Sequence, residues 1–236
     1  MLVKENAPSH TTISKMLSRV HEFAPLPRTF YEPSAAVVAP RLLGHWLVRN
    51  TSNGPVGGPI VETEAYVAND AACHAFPGLT PRNKVMFGAA GHAYVYLIYG
   101  LHFCVNAVCQ PAGLAEAVLV RAIEAAVGLP AMRTRRDVQD EHCLTNGPAK
   151  LCEALGIDRR LNGVDLCNLQ SELVILKNPN ARAFRSKHGP LVTAVRIGIT
   201  RAAELPLRFY LEGSQFVSGR KLRPRSAVAK PVGRNP

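Results

Sequence analysis

Two short stretches in which residue types alternate most constrain what this chain can fold into. Residues 60–66 read IVETEAY, and residues 92–100 read HAYVYLIYG. A period of two places successive side chains on opposite faces of a β-strand. The first stretch therefore puts Glu62, Glu64 and Tyr66 on one face and smaller or apolar residues on the other. If the apolar face packs on a core, the opposite face carries two carboxylates and an aromatic ring toward a cleft.

The second stretch concentrates aromatic side chains. It holds Tyr94, Tyr96 and Tyr99, which are three of the six tyrosines in the chain. Tyr94 and Tyr96 share a strand face, whereas Tyr99 has the opposite parity and stands before Gly100 at a predicted turn. This concentration on one element indicates a functional site.

The remaining pattern predicts a sheet-rich body of one domain, which 236 residues are enough to fill. Strands are predicted at residues 45–50, 60–66, 92–98, 103–109, 117–123, 173–177, 191–199 and 207–212. Helices are predicted at residues 31–44, with an interruption near Pro40, and at residues 125–136 and 149–156. A turn rich in glycine and proline is predicted at residues 53–59.

Two further features of the pattern point to a site. The loop predicted at residues 67–90 is longer than compact domains usually tolerate without a functional reason, so we expect it to line the site. Arg121 interrupts the apolar strand at 117–123. If its guanidinium is buried, it needs a carboxylate or a substrate as its partner.

The net charge favours a polyanionic partner. The chain has 28 Lys and Arg against 17 Asp and Glu, a formal charge of +11 and a pI near 9.7. Nucleic acid is the first candidate, and a basic protein with a solvated surface is the alternative. Residues 218–236 are predicted to be a basic, disordered tail, and residues 1–28 a flexible extension with a short amphipathic helix at 11–23.

The cysteines and the hydropathy limit which compartment, metal or cofactor, and membrane partner can be expected. The six cysteines show no C-x-x-C spacing, so free thiols in a reducing compartment are expected, a bacterial cytoplasm or a eukaryotic nucleus. The adjacent Cys73 and His74 point apart on an extended chain, and we expect neither a metal nor a cofactor. No apolar run approaches the about 18 to 20 residues that cross a bilayer, so no membrane partner is expected.

The chemistry-bearing residues fit hydrolysis at a base embedded in a nucleic acid. That reaction needs a carboxylate to activate water, aromatic faces for the extracted base, a wedge for the gap and positive charge for the backbone. Glu64 is the candidate base, Tyr66 and Tyr96 are candidate stacking faces, and Tyr99 is the candidate wedge. Phosphate contacts are expected from Arg82, Lys84 and the basic tail.

The same residues resemble a known family in order and spacing from about residue 31 to 216. The motifs are VETEAY at 61–66, His74, TPRN at 80–83, MF at 86–87, YVYxIYG at 94–100, Cys104-x-Asn106, RA at 121–122, GPxKL at 147–151, RxG at 196–198 and LRFY at 207–210. On these motifs the chain resembles the alkyladenine (3-methyladenine) DNA glycosylase family. Such a set of linked motifs is far more specific than a single pattern.

The resemblance implies a fold and an activity. The fold would be one α+β domain at residues 29–217, with a curved, mainly antiparallel sheet flanked by helices and a protruding β-hairpin. The activity would be that of a monomeric, monofunctional enzyme that flips alkylated or deaminated purines out of duplex DNA. It would hydrolyse the N-glycosidic bond, leave an abasic site and not cut the strand.

The resemblance also implies a role for each matched residue. Glu64 would deprotonate the attacking water, and Arg121 would help to hold that water, together with the backbone carbonyl of Ile197. The flipped base would lie between Tyr66 and His74 on one side and Tyr96 on the other, while Asn106 would exclude normal guanine. Tyr99 would enter the minor groove. The other expected DNA-binding residues are Thr80, Arg82, Met86 and Lys150.

Two other functions are compatible with parts of the pattern. A non-catalytic module could use Tyr94, Tyr96 and Tyr99 to stack single-stranded nucleic acid, but it leaves Glu64 without a purpose. A small-molecule hydrolase could use the same carboxylate and arginine, but it would not need the basic tail and would tolerate high salt. Glu62 is expected to be structural and to pair with a surface cation.

Overall fold

An eight-stranded antiparallel sheet organises the chain in a computed structural model that describes residues 23–219. Its strands are β1 (Trp46–Thr51), β2 (Gly54–Tyr66), β3 (Ala93–Ile98), β4 (His102–Cys109), β5 (Glu116–Ile123), β6 (Leu173–Leu176), β7 (Leu191–Ala194) and β8 (Arg208–Leu211). The main path runs β3-β4-β5-β2-β1-β6, and β8 pairs with both β2 and β7.

Four α-helices flank this sheet within the described residues, and the predicted α+β class is confirmed. They are α1 (Ala35–Leu42), α2 (Leu129–Arg135), α3 (Pro148–Leu155) and α4 (Ala181–Lys187). The core lies between the sheet and these helices, and α3 packs on β4 and β5. None of the helices that the structure describes is both long and apolar enough to span a membrane.

Strand β2 positions the site because it is central and buried on both faces. Its first half pairs with β1, and its second half pairs with β5 on one edge and with β8 on the other. The hydroxyl of Thr63 donates to the carbonyl of Ala39 in α1 at 3.0 Å, so this helix covers one face. The alternating pattern then directs Glu62 and Glu64 to the opposite face.

The turn predicted at residues 53–59 is wrong, since β2 already begins at Gly54. A Cβ atom on Gly57 would lie 2.1 Å from the carbonyl oxygen of Leu47, and one on Gly58 would lie 1.8 Å from that of Glu124. The glycines are therefore required by the close approach of neighbouring backbone rather than by a turn.

Other predicted bounds need correction too. Helix α2 begins at Leu129 and not at 125, because the preceding residues are extended and Val127 exchanges backbone hydrogen bonds with Gly57 at 3.0 and 3.1 Å. The strand predicted at 191–199 ends at Ala194, and α4 was not predicted. Pro40 lies inside α1 without interrupting it, whereas α3 matches its prediction closely.

At both ends, the predicted domain boundaries fall inside packed chain. The amide of Leu26 donates to the carbonyl of Ile175 in β6 at 2.9 Å, so the residues just before position 29 are held by the sheet. At the other end, Ser218 is buried although it was assigned to the tail. The predicted helix at 11–23, except for its last residue, and residues 220–236 of the predicted tail lie outside the described residues.

Candidate active site

Two buried carboxylates on β2 form the centre of the site. Glu62 and Glu64 are both 0% exposed. Arg121, on the adjacent β5, bridges them, with Nε 3.0 Å from Glu62 Oε1 and Nη1 3.0 Å from Glu64 Oε1. Burial by itself lowers the pKa of Arg121, but Glu64 and Glu62 raise it, and its pKa ends above the ordinary value. The expectation that a buried Arg121 needs a carboxylate is met twice.

Glu64 accepts two hydrogen bonds and forms an ion pair with Arg121, and these three contacts are unevenly shared between its oxygens. Oε1 lies 3.0 Å from Arg121 Nη1 and accepts from the backbone amide of Ile197 at 2.9 Å, while Oε2 accepts from the Tyr66 hydroxyl at 2.9 Å. A carboxylate offers about four acceptor positions, two on each oxygen. Oε2 therefore keeps acceptor capacity that no described residue uses.

The carboxylate of Glu64 is close to the protein surface. Ile197, whose amide contacts this carboxylate, is 40% exposed, and Gly198 after it is exposed as well. A molecule at the surface of this segment can therefore come close to Glu64 although the carboxylate itself is buried.

The prediction that Glu62 pairs with a surface cation is wrong in its location. Glu62 Oε1 accepts from Arg208 Nε at 2.6 Å as well as from Arg121, and both arginines are largely buried. Ser218 adds its amide at 2.7 Å to Oε2 and its hydroxyl at 2.8 Å to Oε1. Two carboxylates and two guanidinium groups thus balance, which limits the cost of burying them. We call these four side chains, with Ser218, the ion network.

A small cavity lies beside the ion network, and we call it the base pocket. Its lining residues are Tyr66, Ala72, His74, Met86, Tyr94, Tyr96, Asn106 and Ala117. Its volume is about 20 Å³, room for little more than one water molecule. The rings of His74 and Tyr96 meet edge to face, with centroids 4.4 Å apart and planes at 70°. A purine fits between them only if they separate.

Tyr94 orients His74, a role that the sequence did not reveal. Its ring stacks on Tyr96 at 5.2 Å and 29°, and its hydroxyl lies 3.0 Å from His74 Nδ1. Burial, and then the charge of Arg82, lower the pKa of His74, so the imidazole is neutral at neutral pH. Burial raises the pKa of Tyr94 to about 12. The contact between Tyr94 and Tyr96 could be expected from the sequence, because the two residues share a strand face.

A buried ion pair ties the base pocket to the strand that carries Glu64. Arg196 makes two contacts with Asp70, and it also donates to the carbonyl of Ala65 at 3.0 Å. Its guanidinium carbon lies 4.7 Å from the centre of the Tyr66 ring. Burial, followed by Glu64, raises the pKa of Tyr66, which keeps its hydroxyl protonated as a donor. The RxG motif contained Arg196, but it did not indicate this partner.

The long loop at 67–90 does line the pocket, as expected, and Asn83 holds its shape. The side chain of Asn83 donates to the carbonyls of His74 at 2.8 Å and Gly78 at 2.9 Å, and it accepts from the amide of Thr80 at 2.7 Å. The loop supplies three pocket residues, among them His74 and Met86.

Asn106 and Met86 both belong to the pocket wall. The side-chain nitrogen of Asn106 donates to the carbonyl of Tyr94 at 3.0 Å. Because that carbonyl can only accept, the nitrogen must face it, and the side-chain oxygen points elsewhere. Met86 was predicted to contact DNA, but it is 1% exposed inside the pocket wall, so its side chain does not reach the surface in this conformation.

The other predicted DNA-binding residues lie on the surface, outside the pocket. Tyr99 is 83% exposed between β3 and β4 and has a φ of 50°. Arg82 is exposed, donates to the carbonyl of Leu97 at 3.2 Å and lies over the ring of Tyr96 at 5.6 Å. Lys150, also exposed, donates to the side chain of Asn146 at 2.8 Å, and Thr80 is half-buried.

Metal-binding geometry is not found in the part of the chain that the structure describes. Residues 23–219 contain no cluster of three or more His, Cys, Asp or Glu side chains able to hold a metal ion. All six cysteines fall within this range and are free thiols.

Comparisons with known proteins support a single family. Residues 29–215 match the family model described as Methylpurine-DNA glycosylase (MPG). A protein of Methanoculleus marisnigri is 49% identical over 195 residues, which cover 83% of this chain and 99% of that protein. Proteins of Carboxydothermus hydrogenoformans (46% identical; 82% and 98% covered) and Rhizobium meliloti (47%; 80% and 94%) are also similar. All three carry the name "Putative 3-methyladenine DNA glycosylase".

Proposed function

The chain belongs to the methylpurine-DNA glycosylase family, and from this premise we propose that Glu64 activates the water that releases a damaged purine from duplex DNA. Membership makes the chain a DNA glycosylase for alkylated bases, with DNA as its substrate. The finer steps rest on one observation above all. Glu64 is buried, held by two hydrogen bonds and the ion pair with Arg121, and close to the surface at Ile197, and its Oε2 can still accept a hydrogen bond.

In the proposed step, a water molecule donates one hydrogen to Glu64 Oε2. Its oxygen attacks C1′ of the deoxyribose while the bond to the base breaks. The proton passes to Glu64, and the base leaves with the electron pair. Because the transition state for cleaving such a bond resembles an oxocarbenium ion, the negative charge of Glu64 also stabilises the sugar. Arg121 holds the carboxylate in the required orientation from the side of Oε1.

The flipped purine would lie between the aromatic rings of the base pocket. His74 and Tyr96 must separate to admit it, and Tyr66 would lie on the same side of the base as His74, opposite Tyr96. Alkylation at a ring nitrogen makes the purine cationic, which improves it as a leaving group. A cation on an aromatic face gains about 0.5 to 2 kcal/mol. A neutral His74 is suited to this because it does not repel a positive base.

Surface residues would grip the DNA while the base is out of the stack. Tyr99 would fill the gap in the duplex, and Arg82, Lys150 and Thr80 would contact the backbone. A damaged or mispaired base costs less to unstack, which adds selectivity before the pocket is reached. Contacts between the basic surface and phosphates also imply that binding weakens steeply with salt.

The product would be an intact strand with an abasic site. Cleavage of the strand through a Schiff base requires an amine nucleophile near the sugar. None of the residues lining the base pocket is a lysine, and the ion network contains none. Every group used in this scheme comes from one chain, which is compatible with action as a monomer.

The test is single-turnover release of hypoxanthine and ethenoadenine from duplex oligonucleotides. We expect Glu64→Gln to lower the rate by at least about 100-fold, the lower range for loss of a general base, while DNA binding persists. Glu204→Gln is the matched control because Glu204 is an exposed carboxylate outside the site. An unchanged rate in Glu64→Gln would contradict the proposal, and strand breaks without alkali would contradict the monofunctional product.

A further inference from the structure

We infer that Ser218 is a positioning residue of this enzyme, one that fixes Arg121 and through it the carboxylate of Glu64. The inference rests on the proposed roles of Glu64 and Arg121. It assigns a function to a residue that the sequence placed in a disordered tail. Ser218 is 7% exposed and follows β8 by seven residues.

The polar atoms of Ser218 are all engaged by the ion network. Its amide donates to Glu62 Oε2 at 2.7 Å, and its hydroxyl donates to Glu62 Oε1 at 2.8 Å. The same hydroxyl oxygen accepts from Arg121 Nη2 at 3.0 Å, and the carbonyl accepts from Arg208 Nη2 at 3.3 Å. A hydroxyl that donates to one charged group and accepts from another belongs to the hydrogen-bond network that holds both groups.

These contacts complete the hold on Arg121. Its Nε faces Glu62, its Nη1 faces Glu64 and its Nη2 faces Ser218. A planar guanidinium held at three nitrogens cannot rotate or tilt, so the contact with Glu64 stays fixed. Without the hydroxyl of Ser218, one nitrogen loses its partner, and the orientation of Glu64 is less well defined. A catalytic group displaced by a fraction of an ångström loses rate without losing substrate binding.

The segment that carries Ser218 is anchored by its own packing. Phe216 is buried in the main core and lies 5.0 Å from the ring of His142, and Val217 is buried beside it. The match to the family model ends at residue 215, so Ser218 lies beyond the part of the chain that the model covers.

The position of Ser218 also separates two functions that are close in sequence. From residue 220 to 236 the sequence has six basic residues and no acidic one, which favours attraction to phosphate. Among the residues that the structure describes, Ser218 contacts no charge other than those of the ion network. A change at Ser218 should therefore act on the rate of base release, and removal of residues 220–236 should act on DNA affinity.

The experiment compares Ser218→Ala, Ser218→Thr and Ser52→Ala in the full chain, with a chain that ends at Gly219. Single-turnover base release at saturating enzyme gives the rate, and titration of a lesion-bearing duplex gives the affinity. Ser52 is a matched control because it lies exposed in the turn between β1 and β2. Ser218→Ala removes both hydrogen bonds of the hydroxyl, the one to Glu62 and the one from Arg121. It should lower the saturated rate about tenfold, the effect expected for losing the bond that holds Arg121, with unchanged affinity.

The conservative variant and the truncation make the result specific. Ser218→Thr keeps the hydroxyl and should restore most of the rate, and the chain ending at Gly219 should bind DNA more weakly with a smaller dependence on salt. The inference is overturned if Ser218→Ala releases base at the rate of the intact protein. It is also overturned if that variant melts at a lower temperature but keeps its rate where it is folded. In either case, an inactive Glu64→Gln variant would leave the proposed function standing, whereas an active one would remove it.

Discussion

The ion network and the base pocket lie side by side but are built in opposite ways. The ion network stands on paired strands, its carboxylates are fully buried, and its contacts to Glu62 and Glu64 measure 2.6 to 3.0 Å. The base pocket takes several of its walls from a long loop, and its rings touch around a volume of about 20 Å³. In the proposed function, the groups assigned to chemistry are thus assembled in advance, while the groups assigned to recognition would have to move to admit the base.

Tyr66 is the residue where the two regions meet. Its ring lines the base pocket, its hydroxyl donates to Glu64, and Arg196 lies against the ring. In the proposed function, a base that stacks on Tyr66 would thereby be placed at a fixed distance from the carboxylate. This connection would let a pocket that opens deliver its substrate to a rigid centre.

The largest expected effect is on the stability of the ion network. Arg121→Met removes the partner that Glu62 and Glu64 share and leaves two buried carboxylates with less compensation. Loss of one partner of a buried ion pair costs about 3 to 5 kcal/mol, so we expect the free energy of unfolding to fall by that amount. Urea denaturation measures it, with Arg133→Met as the control at a half-exposed arginine. A loss below about 1 kcal/mol, the range of surface pairs, would show that the network is not rigid.

The ion pair between Asp70 and Arg196, which connects the two regions, should contribute nearly as much to the free energy of unfolding. Asp70→Asn leaves the buried guanidinium of Arg196 without its counter-charge and frees the start of the pocket loop. We expect a loss of about 3 kcal/mol in the free energy of unfolding, and faster digestion of the loop by protease. Asp137→Asn serves as the control, since Asp137 is exposed. Equal stability of the two variants would mean that Asp70 and Arg196 do not hold the loop.

An effect of intermediate size on folding stability is expected when the pH is lowered, because His74 lies in the base pocket. Burial and then Arg82 lower the pKa of His74 in the folded protein, so the unfolded chain takes up a proton first as the pH falls below about 6.5. Folding stability should therefore decline with falling pH in that range. His74→Gln should make the decline smaller.

His45 tests whether this pH effect is assigned to the right residue. The pKa of His45 is lowered to about 4, first by burial and then by the charges of Arg185 and Lys177, and the contribution of His45 should remain in His74→Gln. Thermal melting between pH 4.5 and 7.5 measures both. A pH profile that His74→Gln leaves unaltered would mean that His74 is not held neutral by the pocket.

The smallest effect on stability is expected at the exposed tip next to the pocket. Tyr99→Ala should change the free energy of unfolding by less than about 0.5 kcal/mol, because the side chain makes little contact with the protein. It should nevertheless lower excision about tenfold at limiting enzyme, since the proposed flipped state would lose the group that fills its gap. Leu114→Ala, another exposed apolar residue, is the control. Equal excision by both variants would remove Tyr99 from the flipping step.

Some features of these two regions could be predicted from the sequence, and others could not. The alternation at 60–66 correctly assigned the faces of β2, because strand parity is a local property. The partners of Glu62 could not be predicted, since Arg208 and Ser218 lie 146 and 156 residues away and meet it only when the sheet is complete. The turn expected at Gly57 and Gly58 failed for a similar reason. Their role is to let distant backbone approach, which local composition does not reveal.

The most direct test of a rigid chemical centre beside a moving pocket is to follow flipping and cleavage separately. Ethenoadenine fluorescence in stopped-flow reports entry of the base into the aromatic pocket, and chemical quenching reports its release. For Glu64→Gln we predict that the fluorescence change persists at a rate close to that of the intact protein, while release is lost. If flipping is lost together with release, or if release continues, the two regions do not divide the work in this way.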